Sequence, residues 1–271
     1  FNHGIDNYLD LFSSRQLLFL DHAIRLLGEV ESVVRLKLAM LISTATEFNS
    51  MLCGYKGAGK SRPGAIRHTF AHHAYTFPYT ALENNPLFGA RASGTMQNLF
   101  DSRLARGQEW AMRPVERRVN GSRTSQVAIS GEVDAGREVK DAASLQAGSR
   151  RFLLLHGSSI HLDLPDNSVD HVVTDPPYFD SVQYSDLAGF FRVWLRQMLP
   201  TEVRWDYSLD EAAVDQQTGG NGQYEDVLGG IFRECHRVLR KERGRLIFTF
   251  HHWNPKGWAG LTLALRRAGF R

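Results

Sequence analysis

The sequence predicts an α/β protein in which a parallel sheet follows an α-helical N-terminal region. Three observations carry this expectation. The C-terminal half alternates short apolar runs with amphipathic stretches, the N-terminal half holds apolar residues at helical spacing, and a Ser-, Gly- and charge-rich stretch separates the two. The division that follows is 1–118 as a helical accessory region, 119–150 as a linker or mobile loop, and 151–271 as the sheet-bearing region.

Each element follows from its own pattern. Residues 14–28 place Leu17, Leu18, Ile24 and Leu27 at helical spacing, and 30–48 add Val33, Val34, Leu38, Leu41, Ile42 and Ala45, which predicts two packed helices. The runs at 152–156 and 169–174 are predicted strands. Ser185 is placed to cap a helix whose Leu187, Phe190, Phe191, Trp194, Leu195 and Met198 recur every three or four residues, with Pro200 closing it. That stripe is read as core. Past a polar loop through Gly219-Gly220-Asn221-Gly222, the residues Tyr224, Val227, Leu228, Ile231, Phe232, Cys235, Val238 and Leu239 share one helix face, which Gly244 is expected to end. Residues 245–250 read as a buried strand, and Trp258, Leu261, Leu265 and Ala268 as a last helix running to Gly269. Strand, helix, strand, helix implies parallel strands with right-handed crossovers, and ligands of such sheets bind outside the strands' carboxyl ends.

Composition sets bounds. At 271 residues and 42% hydrophobic the chain is long enough for one sizeable core or a core with a helical appendage, and its net charge of +3 is only mildly basic. The arginines are uneven, however: Arg103, Arg106, Arg113, Arg117, Arg118 and Arg123 cluster near Trp110. Such a segment suits phosphate tracking, whereas the interspersed Asp101, Glu109 and Glu116 suit a solvated helix face. Two cysteines, Cys53 and Cys235, give no disulfide framework, so a reducing cytoplasm is the expected compartment. No apolar run approaches the roughly twenty residues that span a bilayer.

The most informative stretch is Asp175-Pro176-Pro177-Tyr178, which directly follows the apolar run at 169–174. By itself an Asp-Pro-Pro is a rigid turn after a strand. Together with His156-Gly157-Ser158-Ser159, Leu164-Pro165-Asp166-Asn167-Ser168-Val169-Asp170 and Val172-Val173-Thr174, it resembles the amino-group methyltransferases that use S-adenosylmethionine. The continuation Phe179-Asp180-Ser181-Val182-Gln183-Tyr184-Ser185-Asp186-Leu187 is similar, more specifically, to the large adenine-specific DNA methylases that carry an N-terminal domain of unknown function. Ser13-Ser14-Arg15-Gln16-Leu17, Phe48-Asn49-Ser50-Met51-Leu52-Cys53 and Glu83-Asn84-Asn85-Pro86 extend the resemblance into the first half. It implies a Rossmann-like methyltransferase sheet, S-adenosylmethionine as cofactor, DNA with a base flipped from the duplex as partner, and a DNA-facing role for part of 1–118.

The residues fit that chemistry. An exocyclic amine of a nucleobase is a poor nucleophile because its lone pair is delocalised into the ring. The Asp175 carboxylate and the Pro176 carbonyl are placed to accept its two hydrogens, most strongly as charge develops on nitrogen. Pro177 stiffens the loop. The ring of Tyr178 offers a stacking face for a flipped base, so its hydroxyl is expected to be dispensable. By the resemblance, Phe179, His251 and His252 join Tyr178 at the base, while His156, Gly157 and Ser158 approach the cofactor together with Asp175. Ser158 departs from the Gly-Asp pair common in the family. Within the resemblance, Asp175 in the first motif position implies adenine over the cytosine 4-amino group. RNA adenine, the cytosine 4-amino group, a protein glutamine amide, or a non-catalytic nucleic-acid-binding role stand as alternatives.

Two further patterns are read as decoys. Gly54-Tyr55-Lys56-Gly57-Ala58-Gly59-Lys60-Ser61 matches the phosphate-cradling loop pattern, but a long amphipathic stretch precedes it where a strand is required, and Arg62-Pro63-Gly64 follows. Tyr55 to Gly59 also resembles loosely the F-x-G-x-G loop that holds the cofactor's methionine part. His68 and His72, four apart, would share one face of a helix, with His73 adjoining, but alkyl transfer from a sulfonium needs no metal. Because no strand followed by a cofactor glycine loop is found before Asp175, the sheet is expected to be incomplete and the chain a fragment.

Overall fold

A computed structural model of the chain describes residues 4–56, 66–89, 92–120, 123–179, 182–200, 212–214 and 222–271. In chain order the first elements are α1 (Ser14–Leu27), α2 (Ser32–Phe48), β1 (Gly54–Tyr55), β2 (Ile66–Arg67), α3 (Met96–Leu99), a π-helical segment Phe100–Ala105, α4 (Arg106–Met112), β3 (Val115–Asn120) and β4 (Arg123–Ala128). There follow β5 (Arg137–Glu138), α5 (Ala142–Gln146), β6 (Arg151–Phe152), β7 (His171–Thr174), α6 (Tyr184–Met198), α7 (Gln223–Val238), β8 (Arg245–Phe248) and α8 (Pro255–Arg267). The chain divides into two units, Phe1–Asp134 with Asp186–Asp206, and Ala135–Ser185 with Tyr207–Arg271.

The first unit is helical at its centre. Ser13 opens α1 with a reciprocal cap: its hydroxyl accepts from the Gln16 N–H at 3.3 Å, and Gln16 Oε1 accepts from the Ser13 N–H at 2.9 Å. Two otherwise orphaned helix-start donors are thereby satisfied. Arg35 in α2 donates to the Gly28 and Val30 carbonyls and closes the turn between the helices. At the far end Asn49 Nδ2 donates to the carbonyls of Ala45 at 2.7 Å and Gly94 at 3.1 Å. Gly94 has φ +79°, and a Cβ there would overlap the Phe48 side chain, so only glycine fits. Leu20 and Leu27 of α1 and Ala39 and Ile42 of α2 share one core with Phe12, Phe70 and the α6 residues Phe190, Trp194 and Met198. Phe190 is fully buried, stacked 5.8 Å from Phe12 and edge-on to Phe70 at 5.1 Å. Trp194 meets Phe12 edge-on at 5.0 Å. The stripe predicted as core is core.

The second unit is built on a parallel pair, β7 and β8, in the register His171↔Arg245 to Thr174↔Phe248. A bridge between Val169 and Leu239 extends the pairing on the N-terminal side. Its helical layer is α7 and α8, whose Tyr224, Leu228, Phe232, Leu261, Ala264 and Ala268 bury against Leu246, Phe248 and Phe250. Behind β7, the loop at 162–169 is fastened to α7 by Arg237. That guanidinium donates to the carbonyls of Leu162 and Leu164, each at 2.8 Å, and to the carboxylates of Glu234 and Asp166.

Several expectations need correction. The strand read at 152–156 is only Arg151–Phe152, and it pairs in parallel with β5, not with β7. The β7–β8 pair is covered on one face alone: Val173 is 73% exposed and Ile247 51%, while their neighbours Val172 and Leu246 are half-buried. Strands in a parallel sheet lose water from both faces only when helices lie on both, and among the described residues of this unit the helices packed there are α7 and α8. The strand read at 245–250 stops at Phe248, α6 begins before Ser185, and α7 ends at Val238, with Gly244 in the following turn. The segment 119–150 contains the end of β3 and all of β4, β5 and α5. His68 to His73 form a turn after β2, so His68 and His72 share no helix face. Among the described residues no group of three or more His, Cys, Asp or Glu is placed to hold a metal ion, and no helix is long and apolar enough to cross a membrane.

Candidate active site

The β7–β8 register decides what lies beside Asp175. Because Thr174 is level with Phe248, the residues that leave the two strands at their carboxyl ends, Asp175 and Thr249, emerge side by side, and the Thr249 N–H donates to the Thr174 carbonyl at 3.3 Å. Thr249 Oγ1 donates to Asp175 Oδ1 at 2.5 Å, and the Tyr178 hydroxyl donates to the same oxygen at 2.7 Å. Two donors on one oxygen fix the carboxylate's rotation. Among the described residues neither Asp175 Oδ2 nor the Pro176 carbonyl accepts a hydrogen bond. Asp175 is exposed, and the bonds from Thr249 and then Tyr178 hold its carboxyl below the usual carboxylate value. The bond to Asp175 in turn pushes the Tyr178 phenol up. Its hydroxyl is therefore engaged by the carboxylate, a contact the sequence did not foresee.

Behind the loop lies an aromatic cluster. The Tyr178 ring packs edge-on to Phe250 at 5.3 Å, and Phe250 edge-on to Trp258 of α8 at 4.9 Å. The Trp258 indole N–H donates to the His252 carbonyl at 3.0 Å. Tyr224 of α7 donates to the Pro177 carbonyl at 3.0 Å, and burial pushes its phenol up to about 12, so it stays a donor. Phe179 has φ +44°, a left-handed conformation costly for a bulky side chain. Edge-on contacts to Tyr224 at 5.2 Å and to His252 at 5.7 Å hold it there. Pro176 is buried.

The two histidines separate. His251 is exposed, whereas His252 is only 6% exposed, and its Nδ1 accepts from the Asn254 N–H at 3.1 Å. Gly257 of α8 lets the helix approach this ring, since a Cβ there would stand 2.8 Å from His252 Nδ1. His252 thus belongs to the packing of the cluster. His156, Gly157 and Ser158 line a separate hollow of about 290 Å³ with Ser159, His161 and Asp163. None of the described hydrogen bonds or ring contacts joins His156, Gly157 or Ser158 to Asp175. A second hollow of about 420 Å³ adjoins Ser158, bordered by Asp226, Arg233 and Glu234.

Of the phosphate-loop decoy, Gly54 and Tyr55 form β1, which pairs with β2 and follows α2. Gly57 to Ser61 lie outside the described residues, as do Asp180, Ser181 and Gly219 to Asn221. Tyr55 does not belong to the β7–β8 sheet.

Sequence reasoning assigned no role to Thr249, Tyr224, Phe250, Trp258 or Arg237. For Thr249 the sequence carried no signal: it lies inside the predicted strand at 245–250, which the structure ends at Phe248. Only the register makes it a neighbour of Asp175. No family model, curated protein or solved structure matches the chain.

Proposed function

We propose that this chain carries the amine-binding half of a methyltransferase that uses S-adenosylmethionine to methylate the 6-amino group of adenine in DNA. One observation carries the reading. An ionised carboxylate at the end of a parallel strand has one oxygen held by two hydroxyl donors, while among the described residues its other oxygen and the carbonyl of the following residue accept no hydrogen bond. Such a pair of acceptors suits an NH₂ group, one hydrogen to Asp175 Oδ2 and one to the Pro176 carbonyl. Both bonds strengthen as positive charge grows on nitrogen, and they turn its lone pair out of conjugation. With its carboxyl held low, Asp175 orients the amine and does not retain the proton, which passes on to water. Tyr178 braces the carboxylate through its hydroxyl, and its ring packs against Phe250 of the cluster.

The bound cofactor would supply an electrophilic methyl group whose departure leaves a neutral thioether. The hollow at His156, Gly157, Ser158 and Asp163 offers hydrogen-bonding groups suited to a ribose or an adenine edge. At about 290 Å³ it lies at the lower limit of a ligand pocket, so these residues fit one end of the cofactor and not the whole of it. The parallel pair β7–β8, with α7 and α8 on one face, is what supports a Rossmann-like sheet.

The test is transfer of labelled methyl to unmethylated duplex DNA, with N6-methyladenine read by mass spectrometry. Asp175→Ala should lower incorporation by at least about a hundredfold, while its melting temperature stays within a few degrees of the parent's. Incorporation by the parent that Asp175→Ala leaves undiminished, or label found only on RNA, on cytosine or on glutamine, would overturn the assignment.

A further inference from the structure

Strands β3 and β4 form a six-pair antiparallel ribbon, Val115↔Ala128 to Asn120↔Arg123, that joins no other strand among the described residues. Six residues at roughly 3.3 Å each make an arm about 20 Å long. Its base is anchored. The Trp110 indole N–H of α4 donates to the Val115 carbonyl at 3.3 Å, the Ile129 N–H to the Pro114 carbonyl at 3.0 Å, and the Asp134 N–H to the Ala111 carbonyl at 2.7 Å. Beyond that base the arm has no core of its own, and Arg117, Arg118, Ser125, Gln126 and Val127 are all exposed.

The arm is cationic. Residues 113–128 hold four arginines against one glutamate, an excess of +3, which equals the formal net charge of all 271 residues. The remainder of the chain therefore sums to zero by formal count. Among the described residues Arg113, Arg117 and Arg118 have no ion-pair partner.

The arrangement of the arginines selects the partner. Successive side chains on a strand point to opposite faces, so Arg117, level with Gln126, and Arg118, level with Ser125, put a cation and a polar neighbour on each face of the ribbon. An acidic protein surface would engage one face. A groove with phosphates along both walls engages both, and the DNA major groove, about 12 Å wide, admits a two-stranded ribbon. We propose that the β3–β4 ribbon is an arm that enters the major groove of duplex DNA and contacts phosphates on both sides through Arg117 and Arg118. The choice of DNA rests on the methyltransferase reading; the groove-binding geometry does not.

The experiment measures binding alone, with no methyl donor present, so a failure of transfer and a failure of the arm are distinguishable. Equilibrium binding of the whole chain to a fluorescent mixed-sequence DNA duplex is followed between 50 and 200 mM salt. For Arg117→Gln/Arg118→Gln the slope of log affinity against log salt should be shallower by about 2, since each phosphate contact contributes about 0.9. Glu116→Gln, also exposed, should bind more tightly than the parent. Arg266→Gln removes an equally exposed charge from α8 and should change nothing. Unchanged affinity and slope in the double variant would overturn the proposal, as would an equal effect of Arg266→Gln. So would displacement of the duplex by polyglutamate as readily as by unlabelled DNA, or a preference for duplex RNA, whose deep, narrow major groove excludes a ribbon.

Discussion

The two units hold their shape by different means. In the first, helices close around packed rings, with Phe190 against Phe12 and Phe70, Trp194 against Phe12, and Phe190 wholly buried. In the second, a two-stranded sheet has helices on one face and solvent on the other, and polar fastenings hold its loops: Arg237 on 162–166, and Thr249 with Tyr178 on Asp175. Apolar packing is non-directional and fixes a core; hydrogen bonds are directional and fix the angle of a single carboxylate. The proposed chemistry lies where direction matters.

This contrast is most sharply broken in the first unit. Phe190→Ala should cost about 3–5 kcal/mol in urea unfolding, the range for emptying a closed aromatic site. A loss below about 1 kcal/mol would mean that the ring core does not hold the unit.

The Arg237 fastening comes next. Its guanidinium, followed by the Leu162 N–H, holds the Glu234 carboxyl down at about 2 from an ordinary 4.5. A depressed carboxyl contributes stability that is present above its unfolded value and lost as pH falls through its folded value. Parent stability should therefore decline between about pH 4.5 and pH 2. Arg237→Ala should flatten that decline and speed amide exchange across 162–169. A variant with the parent's acid profile would show the clamp to be idle.

At the site, Thr249→Val removes one of two donors to Asp175 Oδ1 and should raise the Asp175 pKa, as read by carboxylate carbon NMR, with Thr249→Ser restoring it. Methyl transfer should fall by about tenfold, the scale of one hydrogen bond to a charged group. Tyr178→Phe should act in the same direction and less strongly, because Thr249 is the larger cause of the lowered pKa. An Asp175 titration identical in all these variants would remove both residues from its positioning.

The smallest effect is expected on the open face of the sheet. Val173→Thr and Ile247→Thr should each change stability by less than about 0.5 kcal/mol, since exposed positions tolerate a polar atom. A loss above about 1 kcal/mol would show that this face is covered in solution.

Much of the architecture was legible because it is local. α1, α2, α6, α7 and α8 lie within a few residues of their predicted bounds, since an apolar stripe at 3.6-residue spacing is written into each segment alone. The β3–β4 ribbon was not read. Its strands lack apolar alternation, and the hairpin signal of Asn120-Gly121 was passed over in favour of a helix face and a linker.

By itself the sequence determined which segments are helical, that α6 would bury its stripe, and that Asp175-Pro176-Pro177-Tyr178 follows a strand. Tertiary structure alone decided that β6 pairs with β5, that one face of β7–β8 stays open, and that Thr249, 74 residues from Asp175 along the chain, holds its carboxylate. Helix periodicity is a property of neighbours. Strand register is set between distant segments, and a single residue's slip would carry Thr249 to the opposite face and leave Asp175 without its second donor.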